Sequence, residues 1–471
     1  MERLSGLDAG FLYMETPSLH MHTLKIAVLD RPPGDALAFD EIREAIRSHL
    51  VLIPPFRRRI VEVPFGFHHP VWIEDPDFDL DYHVRHVLLP SPGDRSQLDE
   101  AIADIASVPL DRRRPLWRMH VFDGLDDGRM AVLVKIHHAV ADGMAAAALL
   151  ANVMSSRLDG QDPVPPDEWS PEPVPSRRAL LVDAFRDHLG QLRRLPRLVH
   201  RTSIRVRTLV RHRRRSSVST PLPILDTPRT SFNGALTPRR AFATTSLPAT
   251  DVEMVRRALG VTVNDIVLAL VASALRQHLL ECNELPVVPL VAGVPVAADP
   301  TERRLTGNRV SNLFTSLATD EADPLRRLRR IHQVTAEAKQ LQRLLGPETF
   351  GDWVQYTPPR PYAWIVRQYS RYHIANRHRP PMNVVVSNVP GPTTPLHAAG
   401  ATLRELYSVG PVLEGIGVNI TVWSYLDRLY VGILTCRDDV PQPAALAAGM
   451  RAALDELATV AAQAPVVASN T

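Results

Sequence analysis

The segment 130–150 reads MAVLVKIHHAVADGMAAAALL, and three local patterns meet in it. Met130 to Ile136 is a short apolar run of the kind that forms a buried strand. Met144 to Leu150 is rich in alanine and predicts a helix. Between them lies His137-His138-Ala139-Val140-Ala141-Asp142-Gly143. A strand therefore ends at a histidine pair, a tight loop carries an aspartate, and a helix begins. Strand and helix signals alternate along the rest of the chain, which predicts an α/β fold.

The loop also carries candidate chemistry. An imidazole is suited to move a proton near neutral pH because its ordinary pKa lies close to it. Asp142 stands four residues beyond His138, where a carboxylate in a turn can orient the loop. Gly143 beside it permits backbone angles that other residues avoid. No serine or cysteine nucleophile accompanies the pair. The simplest chemistry is direct: His138 deprotonates a bound hydroxyl, which then attacks an acyl donor. The local pattern leaves two further readings open, a metal-ligand pair and polar caps at a strand end. Neighbouring strand residues point to opposite faces, so His137 and His138 do not easily share one metal. Neither an H-E-x-x-H helix nor a cysteine cluster supports zinc.

Outward from this loop, 471 residues exceed the usual size of one core, so two or more domains are expected. The apolar fraction of 45% is enough to fill them. A net charge of +3 gives no argument for a nucleic-acid partner. Lysine occurs only at Lys25, Lys135 and Lys339; the remaining basic residues are arginine, as in proteins of GC-rich, actinobacterial genomes. That bias weakens any claim resting on a single arginine. Cys282 and Cys436 lie in or beside apolar stretches and are expected as buried free thiols in a reducing cytosol. Met1 to Gly10 lacks the pattern of a signal peptide. No run reaches the roughly 18 uninterrupted apolar residues of a membrane span.

Three segments follow from the patterning. Residues 1–158 read as one α/β unit, with helices over Asp40 to Leu52 and Leu98 to Ile105 and strands over Trp117 to Phe122 and Met130 to Ile136. Residues 159–230 begin with a proline-rich, acidic linker from Asp162 to Pro175. They continue as a helix from Arg178 to about Arg213, interrupted at Pro196. Within it Arg193, Arg197, Arg201 and Arg205 recur every four residues beside Leu192, Leu195, Leu198 and Val199. This basic amphipathic pattern fits contact with an anionic membrane or lipid-droplet surface. It also fits a solvated, partly mobile crossover helix linking two domains, the plainer reading where arginine is enriched throughout. Residues 231–471 form a second α/β unit. Its strands are expected over Arg240 to Leu247, Val287 to Val296, Met382 to Asn388, Gly415 to Trp423 and Leu429 to Thr435. Its helices are expected over Thr250 to Ala258, Ile266 to Leu280, Pro324 to Leu345 and Ala444 to Ala462. Trp117 reads as a core anchor.

The sequence HHAVADG resembles the HHxxxDG motif of the condensation-domain and chloramphenicol-acetyltransferase-like superfamily. Further blocks narrow the resemblance: Leu4-Ser5-Gly6-Leu7-Asp8 with Phe11, Pro115-Leu116-Trp117, Val263-Asn264-Asp265-Ile266-Val267-Leu268-Ala269, Gly307-Asn308-Arg309, and Ser387-Asn388-Val389-Pro390-Gly391-Pro392. In this order they are similar to the bacterial wax ester synthase/acyl-CoA:diacylglycerol acyltransferase family and cover nearly the whole chain.

The resemblance implies two similar chloramphenicol-acetyltransferase-like domains, each a mixed sheet flanked by helices, with a tunnel between them. It implies transfer of an acyl group from acyl-CoA to diacylglycerol or a long-chain alcohol, with His138 as general base and no cofactor or metal. His137 would support the loop, Asp142 would pair with an arginine that the sequence does not identify, and Gly143 would allow close approach of backbone and substrate. Asn264 is a candidate substrate contact, and Asn-Asp before a helix is also an ordinary N-cap. Asp265 reads as structural. Ser387 and Asn388 would lie near the tunnel, and by physics alone they precede a turn. Gly307-Asn308-Arg309 stays ambiguous, and no local signature marks the CoA phosphates. The expected location is cytoplasmic, with peripheral contact to the inner face of the membrane or to lipid droplets. Two alternatives remain: a related acyltransferase esterifying a polyketide or cell-wall lipid, with a carrier-protein donor, and a catalytically weak paralogue that binds lipid surfaces.

Overall fold

Two six-stranded sheets take up the apolar runs of the chain. A computed structural model describes residues 1–30, 39–155, 165–167, 169–297 and 304–463. The first sheet has the order His397–Ala398, Ala401–Val409, His22–Asp30, Met130–His137, Trp117–Asp123, Val84–Leu88. Only its last pair is parallel. The second has the order Val310–Ser316, Val291–Ala297, Val384–Val389, Val418–Tyr425, Arg428–Cys436, Arg240–Pro248. Its central strand Val384–Val389 runs parallel to both neighbours. A small sheet of Glu2–Arg3, Val71–Glu74 and Arg58–Val61 stands apart from both.

The expected elements are present with shifted ends, and two expectations about how they are organised need correction. The contiguous division at residue 231 does not separate the sheets, because Ala401–Val409 from the second half pairs along His22–Asp30 in the first sheet. Nothing in a local pattern says which sheet a strand joins. The basic helix also runs unbroken from Arg177 to Arg215, 39 residues, with Pro196 inside it. A proline removes one backbone donor, and on an exposed helix this long the remaining bonds hold the axis. Of the predicted linker, Asp162 to Val164 and Glu168 lie outside the described residues. The rest, to Pro175, is without regular structure.

Each sheet has its own apolar core. In the second, the helix Val263–Glu281 lies between Pro324–Leu345 and Pro443–Gln463, with Ile266 through Ala272 fully buried. By length and composition it is apolar enough to cross a membrane, but its apolar residues are consumed by packing. In the first, Trp117 is buried, stacks on Phe56 and His83, and donates its indole N–H to Phe56 O at 2.8 Å. It is a core anchor. Cys436 is buried and free, whereas Cys282 is exposed at the end of its helix, against expectation. The apolar run before it faces the core, and the helix ends as the chain reaches the surface.

Candidate active site

The strand Met130–His137 ends where the two halves of the chain meet. His137 N–H donates to Leu116 O at 2.9 Å and His138 N–H to Met21 O at 2.8 Å, so the residues that lead into both neighbouring strands hold the histidine pair. The chain then turns, with Val140 N–H bonded to His137 O at 3.0 Å. The His137 ring is wholly buried, and its Nδ1 accepts from Ala139 N–H at 3.0 Å. Burial holds its pKa well below the ordinary histidine value. Its Nε2 faces Glu15 at 4.0 Å, a carboxyl that burial pushes up to about 7. His137 thus shapes the turn as a neutral ring.

His138 is half-buried and packed against Phe11, with ring centroids 4.3 Å apart. Its Nδ1 lies 2.9 Å from Asn308 Oδ1. The Asn308 amide N–H groups donate to His138 O at 2.7 Å and to Asp8 Oδ1 at 2.6 Å. Both donors of the amide are spent on oxygens, so its Oδ1 must accept. The proton therefore sits on Nδ1, and Nε2 keeps its lone pair. Asp8 is fixed in turn by Ser5, whose hydroxyl donates to Asp8 Oδ2 at 2.6 Å. Burial lowers the His138 pKa, with Asp142 and Asn308 opposing. The ring is neutral at physiological pH, as a general base must be.

Asp142 joins three pieces of chain. Its Oδ1 accepts from Met144 N–H and Ala145 N–H at 3.1 and 3.0 Å, capping the helix Gly143–Val153. Its Oδ2 accepts from Arg309 N–H at 3.1 Å and from the Arg304 guanidinium. Arg304 is the arginine partner that sequence did not identify. Gly307, at φ +77°, bridges the loop by donating to Val140 O and accepting from Asp142 N–H. A side chain there would meet the cost of left-handed backbone. At Gly143 a Cβ would stand 3.3 Å from a Val389 methyl, a tight contact that the valine would have to yield to.

Ser387 and Asn388 precede Val389 on the central strand of the second sheet. That strand end meets Gly143, so it lies beside the loop. Asn264 and Asp265 do not join the His138 constellation among the described residues. The N-cap of their helix is Thr262, in a reciprocal capping box with Asp265, and Asn264 lies inside the first turn. Asp265 also binds His332 Nδ1 at 2.7 Å, tying two helices together.

Two open cavities meet beside Asn308. One, of about 660 Å³, is walled by Ser5, Asp8, Val140, Arg194, Arg304 and Asn308. The other, of about 810 Å³, runs along the helix Arg177–Arg215. A third, apolar space lies between the first sheet and the helices Phe39–His49 and Gly143–Val153, walled by Ala27, Ile46, Phe56, Val134, Ala146 and Leu149. Lys25 lines it, bonded to Ser408 and stacked over Trp423, with burial lowering its pKa to about 8.

The Asn308 contact predicts a measurable shift. Asn308→Ala is expected to lower kcat/KM by on the order of 10–100-fold, the worth of one strong hydrogen bond to a charge-developing group. Asn308→Asp keeps the acceptor for Nδ1–H and adds negative charge, which raises the His138 pKa. Its acid limb should therefore move to higher pH. A pH profile of Asn308→Asp that superimposes on wild type would remove Asn308 from this role.

Similarity to known proteins agrees with the geometry. The model of the wax ester synthase/diacylglycerol acyltransferase catalytic domain matches residues 4–267, and that of the family's C-terminal domain matches residues 306–458. A protein of Mycobacterium tuberculosis (strain H37Rv), provisionally named a diacylglycerol O-acyltransferase, is 41% identical over 461 residues, 97% of this chain and 96% of that protein. Another from the same strain, also provisionally named, is 32% identical over 470 residues, 98% of this chain and 96% of that one. Among solved structures, the wax ester synthase/diacylglycerol acyltransferase from Marinobacter aquaeolei VT8 superimposes with a TM-score of 0.70 at 28% identity, over 98% of this chain and 100% of that one. The first condensation domain of the calcium-dependent antibiotic synthetase shares the fold, with a TM-score of 0.57 at 16% identity, over 100% of this chain and 98% of that one.

Proposed function

The chain belongs to the wax ester synthase/diacylglycerol acyltransferase family, and on that premise we propose that it transfers a long-chain acyl group from acyl-CoA to the hydroxyl of diacylglycerol, with long-chain alcohols as further acceptors. One observation carries the reading. His138 is neutral, its Nδ1 is occupied by Asn308, and its Nε2 keeps a free lone pair, while Val140 of the same loop and Asn308 itself line an open cavity.

The reaction follows from that geometry. Nε2 takes the proton of the acceptor hydroxyl as its oxygen bonds to the thioester carbonyl carbon. Collapse of the tetrahedral intermediate breaks the C–S bond. The proton passes from Nε2 to the departing CoA sulfur, giving ester and free thiol and restoring the neutral ring. No acyl-enzyme and no resident cofactor enter this scheme. The apolar space beside Ala146 and Leu149, of about 120 Å³, offers apolar walls to part of an acyl tail. The test is acceptor-dependent thiol release from palmitoyl-CoA with dioleoylglycerol or hexadecanol, followed by chromatography of the product. Ester formation supports the reading; none from folded protein overturns it.

The acceptors are lipids, so the enzyme must meet a lipid surface from the cytoplasmic side. On the helix Arg177–Arg215, Phe185, Leu189, Leu192, Val199, Val206 and Val210 are exposed at steps of three, four and seven residues, one continuous face. Exposed Arg186, Arg193, Arg207 and Arg211 accompany it. Part of the arginine stripe read from the sequence turns the other way: Arg201 pairs with Asp352, and Arg205 bonds Thr349 at 2.7 Å. The apolar face with its flanking arginines is the surface that would rest on an anionic membrane or lipid droplet. Leu192→Glu with Val199→Glu is expected to cut co-sedimentation with anionic liposomes several-fold. Unchanged co-sedimentation would sink the lipid-surface reading.

A further inference from the structure

We propose that Arg194 and Arg197, on the inner side of the helix Arg177–Arg215, form the subsite that binds the phosphates of the CoA donor. This rests on the acyltransferase reading above and adds the residues that recognise the nucleotide end.

The two open cavities share Ser5, Arg194, Asn308, Arg309 and Gln355 in their walls, so they are parts of one cleft. Asn308 is also the residue that holds His138. A ligand lying in the cleft therefore has one end beside Asn308, next to the general base, and the other along the helix. Each cavity is of the size that holds a small-molecule ligand.

The charges in the cleft are mostly matched. Arg3 pairs with Asp183, Arg58 with Glu2 and Glu74, Arg201 with Asp352, and Arg304 with Asp142. Asp187 is held by His68 and Gln191. Arg194 and Arg197 have no carboxylate within ion-pair distance among the described residues. Three residues apart on one helix, they present neighbouring guanidinium groups. Glu348, in the wall of the same cavity, is the one acidic group there without a partner among the described residues. Two unmatched forks in a cleft that reaches Asn308 suit a phosphorylated ligand, because the guanidinium binds phosphate through paired N–H donors. Free CoA phosphates and lipid headgroups share that chemistry. The cleft lies on the opposite side of the helix from Leu192 and Val199, which favours the soluble donor over a membrane.

The experiment compares wild type with Arg194→Gln/Arg197→Gln on three donors: palmitoyl-CoA, palmitoyl-dephospho-CoA and palmitoyl-pantetheine. The acceptor is presented in detergent micelles. The expected result is a rise of about tenfold or more in KM for palmitoyl-CoA. The gap should narrow with the dephospho donor and close with palmitoyl-pantetheine. Equal loss on all three donors, or no loss, overturns the assignment. Weaker binding to phosphatidylglycerol vesicles with unchanged KM for every donor would give these arginines to lipid phosphate and also overturn it. Calorimetric binding of adenosine 3′,5′-bisphosphate separates this proposal from the reaction itself. Binding by wild type and loss in the variant supports the subsite even if no ester forms. Equal binding by both, or binding by neither, overturns it.

Discussion

His138→Ala is expected to abolish acceptor-dependent ester formation while leaving the fold intact. Removing a positioned general base costs roughly 10²–10⁴ in rate. The ring is half-buried and its one side-chain bond goes to Asn308, so its loss should leave a small polar space and little change in melting temperature. The pH profile makes the claim sharper. The base must be neutral, and burial lowers its pKa from the ordinary 6.5. Activity should therefore hold through pH 6.5 and fall only as pH drops through the lowered value. Residual activity near wild type in His138→Ala would remove the imidazole from the mechanism. An acid limb well above 6.5 would contradict the buried, Asn308-bound ring. His137→Ala should behave differently. It removes a wholly buried ring that caps the turn, so stability and activity should fall together.

The parts of this site that were legible in the sequence are those encoded within a few residues. The apolar run, the histidine pair, the aspartate and the alanine-rich helix lie in one segment, and their order gives strand, loop and capped helix. The capping box at the second core helix was equally local. Thr262 and Asp265 stand at its spacing, so the sequence held the signal that makes Thr262, not Asn264, the N-cap. What could not be read was the partnership between distant segments. Asn308 reaches His138 across 170 positions, and its neighbours Gly307 and Arg309 have no periodicity that points to the loop. Arg304 is one arginine in a chain where nearly every basic residue is arginine, so its type carried no information. The strand Ala401–Val409 has an apolar pattern that suits either sheet, and only tertiary packing puts it beside His22–Asp30. The outward apolar face of the long helix shares its repeat with the arginines, and nothing in that repeat says which side packs on the protein.

The second large effect should come from Arg304→Ala. Asp142 is 2% exposed and Arg304 14%, so their ion pair is screened little by water. Removing one partner leaves an uncompensated charge in a poorly solvated place, at a typical cost of about 3–5 kcal/mol. Three backbone N–H groups would still reach the Asp142 carboxylate, from Met144, Ala145 and Arg309, which argues for the lower end of that range. Asp142→Ala removes the helix cap as well, worth about 1 kcal/mol, and strands the guanidinium. The double variant Asp142→Ala/Arg304→Ala should then cost clearly less than the two single losses added, because neither charge is left alone. Thermal melts of the four proteins measure this cycle. Additive losses would mean that the pair is not coupled, and a wild-type melt for Arg304→Ala would mean that the carboxylate does not need its cation. If the coupling is found, Asp142 acts on catalysis through position. It locks the 304–309 segment to the loop, and that segment carries Asn308, the residue that sets the His138 tautomer. Activity in these variants should fall with the fraction of folded protein and with the hold on Asn308, while the acid limb of the surviving activity stays below 6.5.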